Sequence, residues 1–219
     1  MRIGIIGAGH IGGTLTRRLT SLGHDVFVAN SRGPETLRGL ASETGATAVV
    51  AEDAPRDADL VVVTIPMKAI PRLDGRILDA RAEGAPVVDT GNYYPQHRDG
   101  RIAEIEDGMP ESVWVSRQLG QPVVKTFNNI YAQHLLKLGR PVGSEGRIAL
   151  PVAGDDPEAK PEVMRLVDQL GFDPVDAGPL AESWRQQPGT PCYAADLDAE
   201  RLPAALAAAS PERPVEFRA

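Results

Sequence analysis

Residues 3–14 constrain the fold more than any other stretch. Ile3-Gly4-Ile5-Ile6 is a short apolar run of the buried-strand type, and Gly7-Ala8-Gly9-His10-Ile11-Gly12 follows it without a break. The three glycines stand at the spacing of a dinucleotide-binding turn. Gly7 permits a tight exit from the strand, Gly9 lets the backbone approach a pyrophosphate, and Gly12 lets the next helix pack close to the sheet. A helix that starts here offers free N–H groups and the positive end of its dipole to phosphate oxygens.

Glycine-rich turns are common, and a purely structural turn is the alternative, so the context decides. Leu15, Leu19 and Leu22 recur at helical spacing, and Gly23 ends that face. Asp25-Val26-Phe27-Val28-Ala29 then reads as a second strand, which completes a βαβ unit and favours a bound dinucleotide. At the end of that strand an NAD site carries Asp or Glu for the ribose hydroxyls. This chain has Asn30-Ser31-Arg32 instead. A hydroxyl and a guanidinium suit a 2′-phosphate, so the pattern favours NADP(H), against the reading of Arg32 as a solvated loop arginine.

The rest of the chain continues the alternation. The pattern predicts a helix over 34–44, a strand over 46–51, and a buried parallel strand at Leu60-Val61-Val62-Val63-Thr64 that leaves the sheet at Thr64-Ile65-Pro66. It further predicts one helix over 67–82, a strand over 86–89 and a helix over 111–119 with Trp114 in the core. Next come a strand over 122–127, with Lys125 more readily a snorkelling residue than a reacting one, and a helix over 130–138 for which Asn128 or Asn129 is the N-cap. A strand over 147–153 near the sheet edge, a helix capped by Asp156 and a short strand at 174–176 complete it. The expected fold is therefore α/β, a Rossmann-type doubly wound, mostly parallel sheet over residues 1–178. Residues 179–219 read as a small C-terminal appendage, able to close over the site or to pair with another subunit.

Composition narrows the function classes. A net charge of −7 disfavours a nucleic-acid partner. The single cysteine, Cys192, precludes an intramolecular disulfide and reads as a packing thiol, and no run approaches the roughly 18 apolar residues of a membrane span. The start of the chain leaves no room for a signal peptide, so a cytoplasmic protein is expected. Histidines 10, 24, 97 and 134 show no ligand spacing, and no metal site is expected. The loop Asp89-Thr90-Gly91-Asn92-Tyr93-Tyr94-Pro95-Gln96-His97 gathers polar groups beyond what the fold requires. Asn92, Tyr93, His97 and Asn129 are the candidates for catalysis there, each also open to a bland reading as surface or cap.

Five stretches together resemble the deazaflavin (coenzyme F420)-dependent NADP oxidoreductases: Gly7-Ala8-Gly9-His10-Ile11-Gly12, Asn30-Ser31-Arg32, Thr64-Ile65-Pro66, Lys125-Thr126-Phe127-Asn128 and Pro151-Val152-Ala153-Gly154-Asp155-Asp156. The NADPH-binding domain of the six-transmembrane metalloreductases is a more distant likeness. The resemblance implies that Ser31 and Arg32 hold the 2′-phosphate and that His10 and Ile11 lie against the pyrophosphate. It implies that Thr64, Ile65 and Pro66 line the cofactor groove and that Asn92 and Asn129 meet the nicotinamide and the electron acceptor. The acceptor half departs from that family at Asn92-Tyr93-Tyr94-Pro95 and in the tail. The expected activity is hydride transfer between NADPH and a deazaflavin or flavin-like acceptor, with coenzyme F420 or a flavin as co-substrate. The alternatives are reduction of a small carbonyl or imine, with Lys125, His97 and Tyr93 as proton-donor candidates, and a non-catalytic NADP(H)-binding sensor or docking module. A homodimer acting on a small-molecule acceptor is the expected assembly.

Overall fold

In the computed structural model, which describes residues 1–219, β1 (Arg2–Ile6) lies inside a sheet with strands on both sides. α1 (His10–Ser21) returns the chain to β2 (Asp25–Ala29), which runs parallel to β1 with Ile5 opposite Val28. A 3-10 turn (Pro34–Leu37) and α2 (Arg38–Thr44) lead to β3 (Thr47–Val49). The chain then crosses back over β1 to β4 (Leu60–Val63) and β5 (Val87–Asp89). After α3 (Ala103–Glu106) and α4 (Glu111–Leu119) comes β6 (Val124–Lys125), the last strand of the sheet. The strand order is 3-2-1-4-5-6 and every pairing is parallel. This is the Rossmann arrangement, and the order reverses between β1 and β4, where a crevice opens at the carboxyl edge.

The unbroken apolar run of β4 reflects burial on both faces. Leu60 and Val62 join Ile3, Ile5 and Val26 in one core, against Leu15 and Leu19 of α1. Val61 and Val63 join Ile6 and Val87 in the other, against Trp114, Val115 and Leu119 of α4. Beyond β6, α5 (Ala132–Lys137) leads to β7 (Ala149–Val152), α6 (Ala159–Gln169) and β8 (Asp173–Asp176). β7 and β8 pair parallel as a separate two-stranded sheet, joined to the main one by an antiparallel bridge from Lys125 to Ala153. Asp156 accepts from the N–H groups of Glu158 and Ala159, at 2.8 and 3.0 Å, and so caps the start of α6.

Several local expectations fail for identifiable reasons. The single helix over 67–82 is instead two 3-10 turns, Met67–Arg72 and Gly75–Ala80. Pro71 has no N–H to continue a helix, and Gly75 packs so close to α4 that a Cβ there would lie 2.1 Å from the Leu119 carbonyl oxygen. The strand over 122–127 shrinks to two residues because Phe127 turns the chain at φ 61°. Asn128 and Asn129 cap nothing: α5 begins at Ala132, with Tyr131 at its N-cap. Lys125 does not snorkel but is fully buried. No helix is long and apolar enough to cross a membrane.

The tail is laid onto this framework. A 3-10 turn (Leu180–Gln186) puts Leu180 into the core under α4, and α7 (Leu202–Ala207) packs Leu202 and Leu206 with buried Cys192 against Ala149. The last residues return past α4, where Arg213 donates to Glu111 Oε1 at 2.9 Å and to Gln187 Oε1 at 3.2 Å. Burial pushes the Glu111 carboxyl above its usual range, and the charges of Arg213 and Lys125 oppose that rise. A carboxyl raised in the folded state costs stability as pH climbs through its folded value. Replacing Arg213 by Met removes the first opposing charge, so it should cost about 3 kcal/mol where Glu111 is ionised and less as the pH is lowered, because protonation removes the unpaired charge. Denaturant melts across pH check this; a loss that is the same at every pH would contradict it.

Candidate active site

The glycine turn leaves a cradle above α1. Gly7 sits at φ 114°, and a Cβ on it would lie 2.3 Å from the Thr64 carbonyl oxygen. A Cβ on Gly12 would lie 1.9 Å from the Gly7 carbonyl oxygen and 2.7 Å from Thr64 Cγ2. These two glycines are required by packing. Gly9 is different: it is exposed, and nothing lies within 4 Å of where its Cβ would be. No side chain caps α1 and no acidic residue stands in its first turn. Uncapped N–H groups and a positive dipole end therefore face open space, which is what a pyrophosphate requires.

At the end of β2, Asn30 is a loop organiser. Its Oδ1 accepts from the Arg32 N–H at 2.9 Å, and its Nδ2 donates to Thr36 Oγ1 at 2.9 Å, which itself donates to the Gly33 carbonyl at 2.8 Å. Ser31 and Arg32 stand exposed on the loop so shaped, and the Arg32 guanidinium has neither an ion pair nor a hydrogen bond. A free guanidinium beside a hydroxyl, with no carboxylate among residues 30–34, fits a 2′-phosphate. Across the crevice Thr64, Ile65 and Pro66 are half-buried, with the Thr64 N–H bonded to the Ile6 carbonyl at 2.9 Å. Ile11 is half-buried and His10 exposed at the start of α1.

The other half of the carboxyl edge, beyond β5 and β6, is a buried polar network. Asp89 and Lys125 are almost entirely buried and form an ion pair at 3.2 Å. Asp89 also accepts from Ser112 Oγ at 2.7 Å and from the Gly91 N–H at 2.8 Å, while Lys125 donates to the Gly91 carbonyl. The loop that carries Asn92 is thus clamped at its root, with Arg98 donating to the Asn92 carbonyl. The Asn92 side chain is paired with Asn128: Asn92 Nδ2 donates to the Asn128 carbonyl at 2.8 Å, and Asn128 Nδ2 donates to Asn92 Oδ1 at 3.0 Å.

Of the catalytic candidates, the structure brings Asn92 and Asn129 to this edge and leaves the other two out. Tyr93 is sealed in the core under α4, its hydroxyl accepting from the Ile102 N–H at 2.9 Å, and burial pushes its pKa up to about 12. His97 is exposed on the turn Pro95–Asp99 and makes no hydrogen bond. Sequence reasoning missed Gln186 and Tyr193. Gln186 Nε2 donates to Asn128 Oδ1 at 2.9 Å, and the Tyr193 hydroxyl is hydrogen-bonded to that of Tyr94. Burial raises the Tyr193 pKa, so its phenol stays protonated at neutral pH.

Fold and cradle together define a Rossmann-type dinucleotide-binding domain. The family model described as NADP oxidoreductase coenzyme F420-dependent matches residues 2–93 of the chain. The YjhV protein of Escherichia coli K12 is 55% identical over 62 residues, which are 28% of this chain and 45% of YjhV. Among solved structures, hypothetical protein SMa0349 of Sinorhizobium meliloti is 32% identical, with 90% of this chain and 95% of that one covered and a TM-score of 0.75. A protein of Arthrobacter sp. FB24 described as an F420-dependent NADP-reductase is 25% identical, with 84% and 87% covered and a TM-score of 0.68. The chain spans less than half the length of the curated relatives it matches.

The two kinds of glycine separate packing from binding. Gly12→Ala should destabilise the protein by about 1–3 kcal/mol through overpacking. Gly9→Ala should leave the melting temperature unchanged and weaken NADPH roughly tenfold or more, because its methyl group fills the pyrophosphate approach. Melting curves and calorimetry on both variants test this; tight NADPH binding by Gly9→Ala would contradict the cradle.

Proposed function

We propose that this chain uses NADPH to reduce a flat deazaflavin or flavin-like acceptor at the carboxyl edge of its sheet. The observation that carries this reading is the pairing of an open, uncapped α1 N-terminus with an unpartnered arginine at the end of β2. Gly7, Gly9, Ile11 and Gly12 would hold the pyrophosphate, Ser31 and Arg32 the 2′-phosphate, and Asn92 the nicotinamide end. NADPH supplies the hydride when bound, and the acceptor takes it together with one proton. Asp89, Lys125 and Glu111 near that edge are buried and paired. Amides and hydroxyls remain to orient two rings face to face, and positioning is the main requirement of such a transfer. The match of residues 2–93 to the F420-dependent family model supports the choice of acceptor.

A specific observation favours a second reading, reduction of a small carbonyl or imine: the Tyr94–Tyr193 hydroxyl pair supplies an O–H donor at the same edge. Single-turnover stopped-flow with NADPH separates the two. Coenzyme F420 or FMN should oxidise the bound NADPH at least roughly tenfold faster than pyruvate or a cyclic imine, since face-to-face orientation is what the site provides. Oxidation only by the carbonyl or imine would replace the first reading with the second, and no oxidation by any of them would remove both.

A further inference from the structure

The tail enters the candidate site through one side chain. Gln186, fully buried at the end of the turn Leu180–Gln186, holds both ends of the Asn128 amide: its side-chain Nε2 donates to Asn128 Oδ1 at 2.9 Å, and its main-chain carbonyl accepts from Asn128 Nδ2 at 2.6 Å. Asn128 in turn holds Asn92, and both hydrogens of its own NH₂ group are thereby spent, one on Asn92 Oδ1 and one on the Gln186 carbonyl. Asn92 is left with one unused N–H and one unused lone pair, and it is only half-buried. A carboxamide fixed in this way keeps one free donor and one free acceptor. A carboxamide ligand offers the counterpart of each.

Two further observations set this chain of amides apart from ordinary packing. Gln186 Oε1 is buried and has no partner, so the residue satisfies the Asn128 amide while leaving its own oxygen unpaired. The backbone is also held in a sparsely populated conformation on both sides of the junction. Phe127, just before Asn128, has φ 61°, and Ala194, whose N–H bonds the Asn129 carbonyl at 2.8 Å, has φ 55°. Such conformations persist where the surrounding structure over-determines them, and they cluster at functional sites.

We propose that Gln186 is a positioning residue for the nicotinamide end of the cofactor: through Asn128 it fixes the Asn92 carboxamide so that its free N–H and lone pair meet the nicotinamide carboxamide. The proposal rests on the NADP(H) reading above. It makes the tail a part of the cofactor site.

The test compares NADPH with 2′,5′-ADP, which carries the adenosine phosphates and no nicotinamide, by calorimetry on the full chain. Gln186→Met should weaken NADPH roughly tenfold, the cost of releasing a hydrogen-bonded amide, and leave 2′,5′-ADP unchanged. It should also abolish any fluorescence enhancement of the bound dihydronicotinamide, a signature that loss of fold stability alone would not remove selectively. Equal affinities for NADPH in both proteins, or equal weakening of both ligands, would overturn the proposal. Failure of the unaltered protein to bind 2′,5′-ADP would instead overturn the cofactor reading and the proposal with it. If the Met variant does not fold, Gln186→Glu decides, because it keeps the shape and sets an acceptor against Asn128 Oδ1 once ionised. Its NADPH affinity should fall with rising pH relative to the unaltered chain, and a parallel pH dependence in both would overturn the proposal.

Discussion

The approach of α1 to the β1–β4 junction is the constraint on which everything else depends. Where Gly12 passes the Gly7 carbonyl and Thr64, a single methyl group would come within 1.9 Å of the backbone. Only a glycine pair permits that approach, and the approach aims the α1 N-terminus at the crevice where the strand order reverses. The sheet could be closed by a helix standing further off. The cradle could not then form.

From this junction the molecule divides into two halves built by different means. The side proposed to hold the adenosine is local: Asn30 shapes its own loop through Thr36 and leaves Ser31 and Arg32 at the surface. The other side is assembled from distant segments. Its floor is the Asp89–Lys125 pair, a buried contact whose desolvation is offset by Ser112, the Gly91 N–H and the Gly91 carbonyl. Its wall is the tail, tied down by Arg213 on Glu111 and by Gln186 on Asn128.

That division decides what was legible in the sequence. The strand and glycine turn at 3–12, the apolar run of β4, the α4 helix with its buried Trp114 and the cap at Asp156 are written in contiguous residues, and each forms where its pattern placed it. The elements that failed depend on single local breaks with tertiary causes. Pro71 and the close contact of Gly75 divided a helix, and Phe127 at φ 61° ended a strand that its β-branched neighbours would have prolonged. Lys125 was misjudged because its partner, Asp89, lies 36 residues away. Gln186 lies 58 residues from Asn128 and Tyr193 lies 99 from Tyr94, separations at which no spacing rule operates. Tyr93, a candidate by its loop position, turned inward because that side of the sheet needed a large apolar ring under α4.

The central claim is that the loop after β2 holds a 2′-phosphate, and the most direct measurement is the ratio of NADPH to NADH affinity, taken by calorimetry on the unaltered chain and on Arg32→Ala at one salt concentration. Charge-assisted hydrogen bonds to the phosphate should make NADPH bind roughly ten- to a hundredfold more tightly than NADH, and Arg32→Ala should remove most of that preference while leaving NADH affinity as it was. Equal affinity for the two nucleotides in the unaltered chain, or a parallel loss of both in the variant, would contradict the account.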